Sequence, residues 1–235
     1  MSVNDQSCAA GDCTPAPQLA AVIPAFNEAR TIKAVVLQVR QRAIAIVVDD
    51  GSTDDTAALA QAAGAYVVRH PLNRGYDCAL ETGLRTALEL GCTFAVTMDA
   101  DGQHDPTLLD RFHAELEAGA DLVVGQRDRT QRWSETLFCF VSRLAWGLND
   151  PLCGMKGYSK RILARVEDIN TYASIGTELA VRLVKAGVTV HQLPVKTRQR
   201  EGISRFGQGF MPNLKISKAL WMGIFSPPAF RQPDK

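Results

Sequence analysis

Two aspartates, Asp99 and Asp101, directly follow an apolar stretch in the run Thr97 to Pro106 (TMDADGQHDP). Carboxylates two residues apart at the end of a strand can offer oxygen atoms to one hard cation. Mg²⁺ and Mn²⁺ favour such oxygens and usually take one or two protein carboxylates together with the phosphates of a substrate. The pair therefore predicts a site for a metal-bound nucleotide, although acidic turn residues after a strand also serve as helix caps.

Two other apolar stretches end in polar residues upstream. Asp49 and Asp50 follow a predicted strand over 44–48, and the loop PAFNE (Pro24 to Glu28) follows a predicted strand over 19–23. In open α/β sheets the ligand crevice lies outside the carboxyl ends of the strands. We therefore expect the three strand ends to converge on one ligand. Ser52 with Asp55 predicts the start of the helix that ends near Gly64.

Strands and helices are expected to alternate along the first half of the chain. The predicted strands cover residues 19–24, 44–48, 65–69, 93–98 and 121–125, and the predicted helices cover 28–40, 54–63, 76–90 and 106–118. Gly64, Gly91 and Gly119 each stand where a helix should stop. This alternation predicts a parallel sheet wrapped by helices. Beyond residue 127 we expect a helix over 134–148, a loop, a helix over 176–186, a strand over 188–195 and a basic tail.

Composition limits the class of protein. The chain has 235 residues, 46% of them hydrophobic, which is enough for the core of one large domain. A net charge of +1 argues against a nucleic-acid partner. The six cysteines form no C-x-x-C pair and no signal peptide precedes them, which favours a reducing, cytoplasmic location. No apolar run approaches the roughly 20 residues of a membrane-spanning helix.

Six motifs in this order resemble those of the family 2 glycosyltransferases of GT-A fold, within which the dolichyl-phosphate mannose synthase and polyprenyl-phosphate glycosyltransferase group is most similar. The motifs are VIPAFNE, VVDDGSTD, NRGYDCALETGL, MDADGQHDP, NDPLCGMKGYS and GTELAVRLVKAGVTVHQLPV. The resemblance covers about residues 19–208 and implies a Rossmann-like, mostly parallel sheet flanked by helices. Residues 1–18 are then expected to be a disordered leader, and 209–235 an amphipathic C-terminal tail.

The resemblance also implies roles for residues on the donor side. Pro24, Phe26 and Glu28 match the loop that holds the nucleotide, and Asp50 matches the carboxylate that reads its base. The metal, Mg²⁺ or Mn²⁺, would be bound by Asp99, Asp101 and Gln103, whereas His104 is expected to be a turn residue. Arginines on phosphate groups are expected among four residues, of which the first and last are the main candidates: Arg127, Arg129, Arg132 and Arg143. Arginine suits phosphate because of its planar fork of donors.

On the acceptor side, Asp150 and Glu178 match acidic positions of the family and are predicted, with Asp101, to be catalytic. Whether a general base is needed depends on the nucleophile. A lipid phosphate, with a second pKa of about 6, is already anionic near neutral pH, but a sugar hydroxyl needs a base within hydrogen-bond reach. Glu178 alternatively pairs with Arg182 one helical turn later.

Three segments depart from the family pattern. The family's N-x-G-K-G-x-A is Asn73 to Ala79 (NRGYDCA) here, which lacks the lysine and the second glycine. Where the family has G-E-S-K near the acceptor phosphate, this chain has Gly202-Ile203-Ser204-Arg205, so Ser204 and Arg205 are the expected phosphate ligands. Phe26 replaces the usual tyrosine.

The tail carries an apolar stripe at helical spacing, formed by Phe206, Phe210, Leu214, Trp221 and Phe225, with Lys215 and Lys218 to the other side. Such a segment lies in a membrane interface or covers the core of its own domain. We expect a peripheral enzyme on the cytoplasmic face of the membrane, which moves a sugar with inversion from a UDP- or GDP-sugar to a polyprenyl or dolichyl phosphate. The alternatives are a glycan hydroxyl as acceptor, a HAD-type phosphatase and a non-enzymatic nucleotide-sugar sensor.

Overall fold

A computed structural model describes residues 18–128, 133–169, 176–196 and 222–230. The strands are β1 (Leu19–Ala25), β2 (Ile44–Asp49), β3 (Tyr66–Arg69), β4 (Phe94–Thr97), β5 (Leu122–Arg127), β6 (Lys156–Ser159) and β7 (Val190–Val195). The helices are α1 (Ile32–Val39), α2 (Thr56–Ala62), α3 (Tyr76–Glu89), α4 (Leu108–Glu117), α5 (Trp133–Trp146), α6 (Lys160–Leu163) and α7 (Glu178–Lys185). The predicted alternation of strand and helix over the first half is confirmed.

All seven strands form one sheet in the order β3-β2-β1-β4-β6-β5-β7. The central strand β1 pairs in parallel with both β2 and β4, β3 extends the sheet beyond β2, and β7 runs parallel to β5. The carboxyl ends of β1, β2 and β4 are therefore side by side, as the sequence predicted. These strands are almost wholly buried because helices cover both faces, which is typical of parallel sheets.

Strand β6 corrects the expectation of a loop between α5 and α7. It lies antiparallel between β4 and β5, with Thr97 opposite Lys156 and Val124 opposite the same residue. Its sequence, KGYS, is too short and too polar to carry an apolar alternation, so the sequence pattern did not reveal it. The strand holds the preceding loop, Asp150 to Met155, against the end of β4.

Two hydrophobic layers enclose the sheet. One face packs against α1, α2 and α4, with Ile23, Val96 and Phe112 at its centre. The other packs against α3, α6 and α7, with Val22 and Leu179 among its buried residues. Helix α3 lies especially close to β1 and β2, because Gly83 has no side chain: a Cβ there would be 2.3 Å from a methyl carbon of Val22.

The ends of the helices agree with the predicted glycine stops, but two predicted starts are too early. Helix α1 begins at Ile32 and not at residue 28. Gly64, Gly91 and Gly119 all have positive φ and follow α2, α3 and α4. Helix α2 begins at Thr56, later than Ser52 and Asp55 indicated, and Asp55 makes no side-chain capping hydrogen bond. The Ser52 hydroxyl accepts a hydrogen bond from the backbone N–H of Asn27 instead.

Within the described ranges, no helix is both long enough and apolar enough to cross a membrane. The predicted leader falls outside these ranges except for Gln18, and of the predicted tail only residues 222–230 are described. Its predicted apolar stripe is thus represented by Phe225 alone.

Candidate functional site

The loops after β1 and β2 are joined by hydrogen bonds into one unit. The N–H of Asn27 donates to the Ser52 hydroxyl at 2.9 Å, and the N–H of Thr53 donates back to the Asn27 side-chain carbonyl at 2.9 Å. The N–H of Glu28 donates to the Thr56 hydroxyl at 2.8 Å. Asn27 has a φ of 53°, in the left-handed region that asparagine tolerates better than most residues. The predicted nucleotide loop with Pro24, Phe26 and Glu28 is therefore held against the Asp49–Asp50 loop.

Asp50 is the acceptor for a buried set of hydrogen bonds. Its carboxylate accepts the N–H of Arg74 at 2.9 Å and that of Gly75 at 2.8 Å, and one oxygen lies 2.7 Å from His70 Nδ1. The other ring nitrogen of His70 lies 3.0 Å from the Thr82 hydroxyl. Asp50 thus fixes the loop that precedes α3. The sequence predicted only a contact with a nucleotide base and did not indicate this structural role. The base contact itself stays a prediction.

Asp49 has a different partner. Its carboxylate lies 3.1 Å from Arg69 Nε and accepts the N–H of Ser52 at 3.2 Å. It is fully buried, whereas the Arg69 side chain is 61% exposed. Asp49 therefore stabilises the turn after β2 from its buried side.

The two carboxylates of the predicted metal site follow β4 on a tight turn. Asp101 accepts the N–H of Gln103 at 3.0 Å, and the intervening Gly102 has a φ of +75°, which a side chain would strain. His104 is buried, and its Nδ1 accepts the N–H of Asp99 at 3.2 Å. His104 thus stabilises the turn through this hydrogen bond, as expected for a turn residue.

Asp99 lies between Tyr76 and Gly154. The Tyr76 hydroxyl donates to Asp99 Oδ1 at 3.2 Å. A Cβ at Gly154 would be 2.8 Å from Asp99 Oδ2, so the glycine permits the close approach of its loop. Burial and the negative charge of Asp99 raise the pKa of Tyr76 well above its ordinary value, which keeps the hydroxyl protonated as a donor.

The donor set fits a hard cation that is completed by phosphate or water. Asp99 and Asp101 would supply carboxylate oxygens and Gln103 an amide oxygen, the ligand types of Mg²⁺ and Mn²⁺. The described residues include no group of three or more His, Cys, Asp or Glu side chains arranged to hold a metal. A cation at this turn would therefore need further oxygens from phosphate or water, and its binding together with a nucleotide stays a prediction.

Asp150 and Arg127 form a buried ion pair. Arg127 Nε and Nη2 donate to the two oxygens of Asp150 at 2.7 and 2.9 Å, and the Arg127 N–H donates at 3.0 Å. A second carboxylate, Glu135, lies 3.3 Å from Arg127 Nη1. Burial raises the pKa of Asp150, but the hydrogen bonds and charge of Arg127 outweigh it, so the net shift is downward. A carboxylate held ionised in this way is a weak general base.

The loop that carries Asp150 is hydrogen-bonded to the end of β4, next to the predicted metal turn over residues 99–103. The Thr97 hydroxyl donates to the carbonyl of Gly154 at 2.8 Å and accepts the N–H of Lys156 at 3.2 Å. The fully buried Lys156 ammonium donates to the carbonyl of Cys153 at 2.5 Å, and burial lowers its pKa. The end of β4 and the loop Asp150 to Met155 are thus connected by hydrogen bonds.

The remaining predicted residues are more scattered. Glu178 is buried at the start of α7 and lies 3.5 Å from Arg182 Nη1, the helical pair that the sequence offered as an alternative. Arg143 is exposed on α5, and within the described ranges its guanidinium has no hydrogen-bond or ion-pair partner. Arg129, Arg132, Ser204 and Arg205 lie outside the described residues.

Sequence reasoning missed three side chains that organise this site: Tyr76, His70 and Lys156. Tyr76 stands in the segment that departs from the family pattern, and this departure could have drawn attention to it. The departure indicated only a change in contacts with the donor phosphates. His70 follows β3 directly, at the same sheet edge as Asp50. Lys156 lies on the strand that the pattern did not reveal.

Comparison with known proteins gives consistent matches. The profile described as glycosyl transferase family 2 matches residues 20–135. An uncharacterised glycosyltransferase from Mycobacterium tuberculosis is 31% identical over 190 residues, which are 77% of this chain and 85% of the relative. A polyprenol monophosphomannose synthase from Mycolicibacterium smegmatis is 27% identical over 233 residues, with 88% of each chain covered.

Solved structures show the same fold. The structure of glucosyl-3-phosphoglycerate synthase from Mycobacterium tuberculosis, in complex with Mn²⁺, UDP-glucose and phosphoglyceric acid, superposes with a TM-score of 0.72. The match covers 90% of this chain and 81% of that chain, at 22% sequence identity.

The buried ion pair predicts a pH-dependent loss of stability. Asp150→Asn should lower the free energy of unfolding at pH 7 by about 3 kcal/mol, because it breaks a buried pair and leaves Arg127 poorly compensated. The pKa of Asp150 is lowered on folding, so its contribution is complete above the ordinary aspartate pKa of about 4 and is lost as the pH falls through the folded value. Urea unfolding from pH 7 to below pH 4 measures the difference. The neighbouring, exposed Asp128→Asn is the control, and a variant difference that does not shrink at low pH would contradict this account.

Proposed function

The chain belongs to glycosyl transferase family 2 and has the GT-A fold, and we propose that it transfers a sugar from a UDP- or GDP-sugar to a polyprenyl phosphate. The transfer would depend on Mg²⁺ or Mn²⁺ and invert the anomeric carbon in a single displacement. The similarity to a polyprenol monophosphomannose synthase supports this acceptor class, and the metal and UDP-glucose of the structural neighbour support the donor class.

The choice of acceptor rests on the ionisation and partners of Asp150 and the surroundings of Glu178, the two carboxylates predicted on the acceptor side. Asp150 has a lowered pKa and its two oxygens accept hydrogen bonds from Arg127, while Glu178 is buried beside Arg182. Neither arrangement suits a group that must take a proton from a hydroxyl. A lipid phosphate, largely anionic near neutral pH, attacks without that proton transfer. We therefore favour a phosphate nucleophile over a glycan hydroxyl.

The residues on the donor side suit a charged leaving group. Asp99, Asp101 and Gln103 would hold a divalent cation, which supplies electrostatic stabilisation to the diphosphate as the bond to the sugar breaks. The joined loops after β1 and β2 would form the wall for the nucleoside, with Phe26 and Glu28 on one loop and Asp50 behind the other. Because these loops are already hydrogen-bonded to each other, they need little reordering when the donor binds.

A surface beside the site suits contact with a membrane. Three large apolar side chains are exposed at helical spacing on α5, namely Leu137 (50% exposed), Phe140 (61%) and Leu144 (73%). The segment 222–225 lies at the end of the same helix, where a Cβ at Gly223 would be 3.0 Å from the Trp146 ring, and it exposes Ile224 and Phe225. Apolar side chains in one strip, with Arg143 exposed on the same helix, fit an anionic bilayer interface. Such contact would bring the site to a lipid-linked acceptor.

A variant of the metal turn tests the donor half of the proposal. Asp101→Asn should reduce sugar transfer by roughly 10² or more, because the cation that would stabilise the leaving diphosphate loses one carboxylate ligand. Transfer is measured with a panel of UDP- and GDP-sugars in Mg²⁺ or Mn²⁺, together with the thermal unfolding of each sample. Asp110→Asn, on the exposed side of α4, is the matched control. Normal turnover by Asp101→Asn would remove Asp101 from the site.

The exposed strip on α5 gives a second expectation. The double variant Phe140→Ser and Leu144→Ser should lose co-sedimentation with anionic vesicles and transfer to long-chain polyprenyl phosphate, while donor binding stays unchanged. Leu37→Ser, which removes an apolar side chain of 48% exposure from α1, should retain both properties. If the double variant sediments with vesicles as the wild type does, the strip is not a membrane contact.

A further inference from the structure

The first residues of α3 connect two sides of the site. The sequence departs from the family pattern here, with Tyr76 and Asp77 in place of the lysine and second glycine. Gly75, at φ +93°, precedes the helix and donates its N–H to Asp50. The helix start is therefore fixed by the donor-side loop, and the directions of its first side chains are fixed with it.

Tyr76 reaches the metal turn from this fixed position. Its hydroxyl donates to Asp99 Oδ1 at 3.2 Å, while its ring packs among the buried residues under α3. Gly154 packs against the same carboxylate, since a Cβ there would be 2.8 Å from Oδ2 and 3.1 Å from Oδ1. Asp99 is thus held between a hydrogen-bond donor and a backbone segment, and the direction of its second oxygen is restricted.

Asp77 holds the Tyr76 ring in place from the acceptor side. Its carboxylate accepts the N–H of Gly176 at 2.5 Å, a contact between residues 99 positions apart. Gly176 has a φ of +64°, and a Cβ there would be 3.5 Å from Tyr76 Cε1 and 2.9 Å from Leu80. Gly176, just before α7, therefore lies close to the tyrosine ring and is hydrogen-bonded to the residue next to that tyrosine.

We propose that Tyr76, which stands where the family pattern has a lysine, is a positioning residue that fixes Asp99 for cation binding. The inference rests on the proposed function, because it assumes that Asp99 binds a divalent cation with a nucleotide. Partners that orient a metal ligand by a hydrogen bond commonly contribute 10- to 100-fold to metal affinity. A purely structural tyrosine would contribute to stability without changing that affinity.

Tyr76→Phe separates these roles, because it keeps the ring and removes only the hydroxyl. The probes are Mn²⁺ with UDP and Mn²⁺ with GDP, and free Mn²⁺ is followed by electron paramagnetic resonance after subtraction of the nucleotide alone. We expect at least a 10-fold weaker Mn²⁺ affinity of the protein–nucleotide complex. Metal-free nucleotide affinity, measured by calorimetry, should stay within about twofold of wild type.

Tyr158→Phe is the matched control, since Tyr158 is a buried tyrosine of the same core and should affect stability without affecting Mn²⁺ affinity. Wild-type Mn²⁺ affinity in Tyr76→Phe would overturn the inference and leave the proposed function standing. Equal losses of metal-free nucleotide affinity and thermal stability, without a specific loss of Mn²⁺ affinity, would make Tyr76 a structural residue and also overturn it. A wild-type protein whose nucleotide binding does not respond to Mn²⁺ would overturn both proposals.

Discussion

The pairing of β6 with β4 is the constraint on which the rest of the site depends. Its antiparallel register sets Lys156 opposite Thr97, and the Thr97 hydroxyl then bonds the Gly154 carbonyl. That bond brings the loop Asp150 to Met155 against Asp99 of the predicted metal turn, with Gly154 where a side chain would collide. In the proposed reaction the donor and the acceptor must be held at a fixed distance, and this short strand would set the distance between the two loops that are predicted to bind them.

The buried carboxylates that shape loops at this edge of the sheet have partners: Asp49 has Arg69, Asp50 has His70 and two backbone amides, and Asp150 has Arg127. Burying these carboxylates without partners would cost several kcal/mol each. The consequence for chemistry is that Asp150, although it is predicted to lie on the acceptor side, is held as an ionised structural group. For this reason we favour an acceptor that is already anionic and needs no general base.

Much of the fold could be predicted because its signals are local. The apolar strands β1 and β2 and the glycines after α2, α3 and α4 were evident from residue type and spacing. The pairing of Asp150 with Arg127 was not, since it joins residues 23 apart, and the strand after Asp150 that pairs with β5 has four residues without an apolar alternation. The start of α2 was misplaced because Ser52 serves a neighbouring loop, and tertiary hydrogen bonds of this kind leave no local pattern. The same applies to Tyr76, whose partner Asp99 follows another strand.

The most direct measurement of the central claim is the identity of the product. Wild-type protein is incubated with Mn²⁺, a labelled nucleotide-sugar from the UDP and GDP panel, and either polyprenyl phosphate or a polyprenol without the phosphate. Mass spectrometry and NMR of the lipid fraction then determine the linkage and the anomeric configuration. The account predicts a glycosyl phosphodiester of inverted configuration, formed only with the phosphate and only with metal. Transfer to a hydroxyl group, a product of retained configuration, or equal transfer without the phosphate would contradict it.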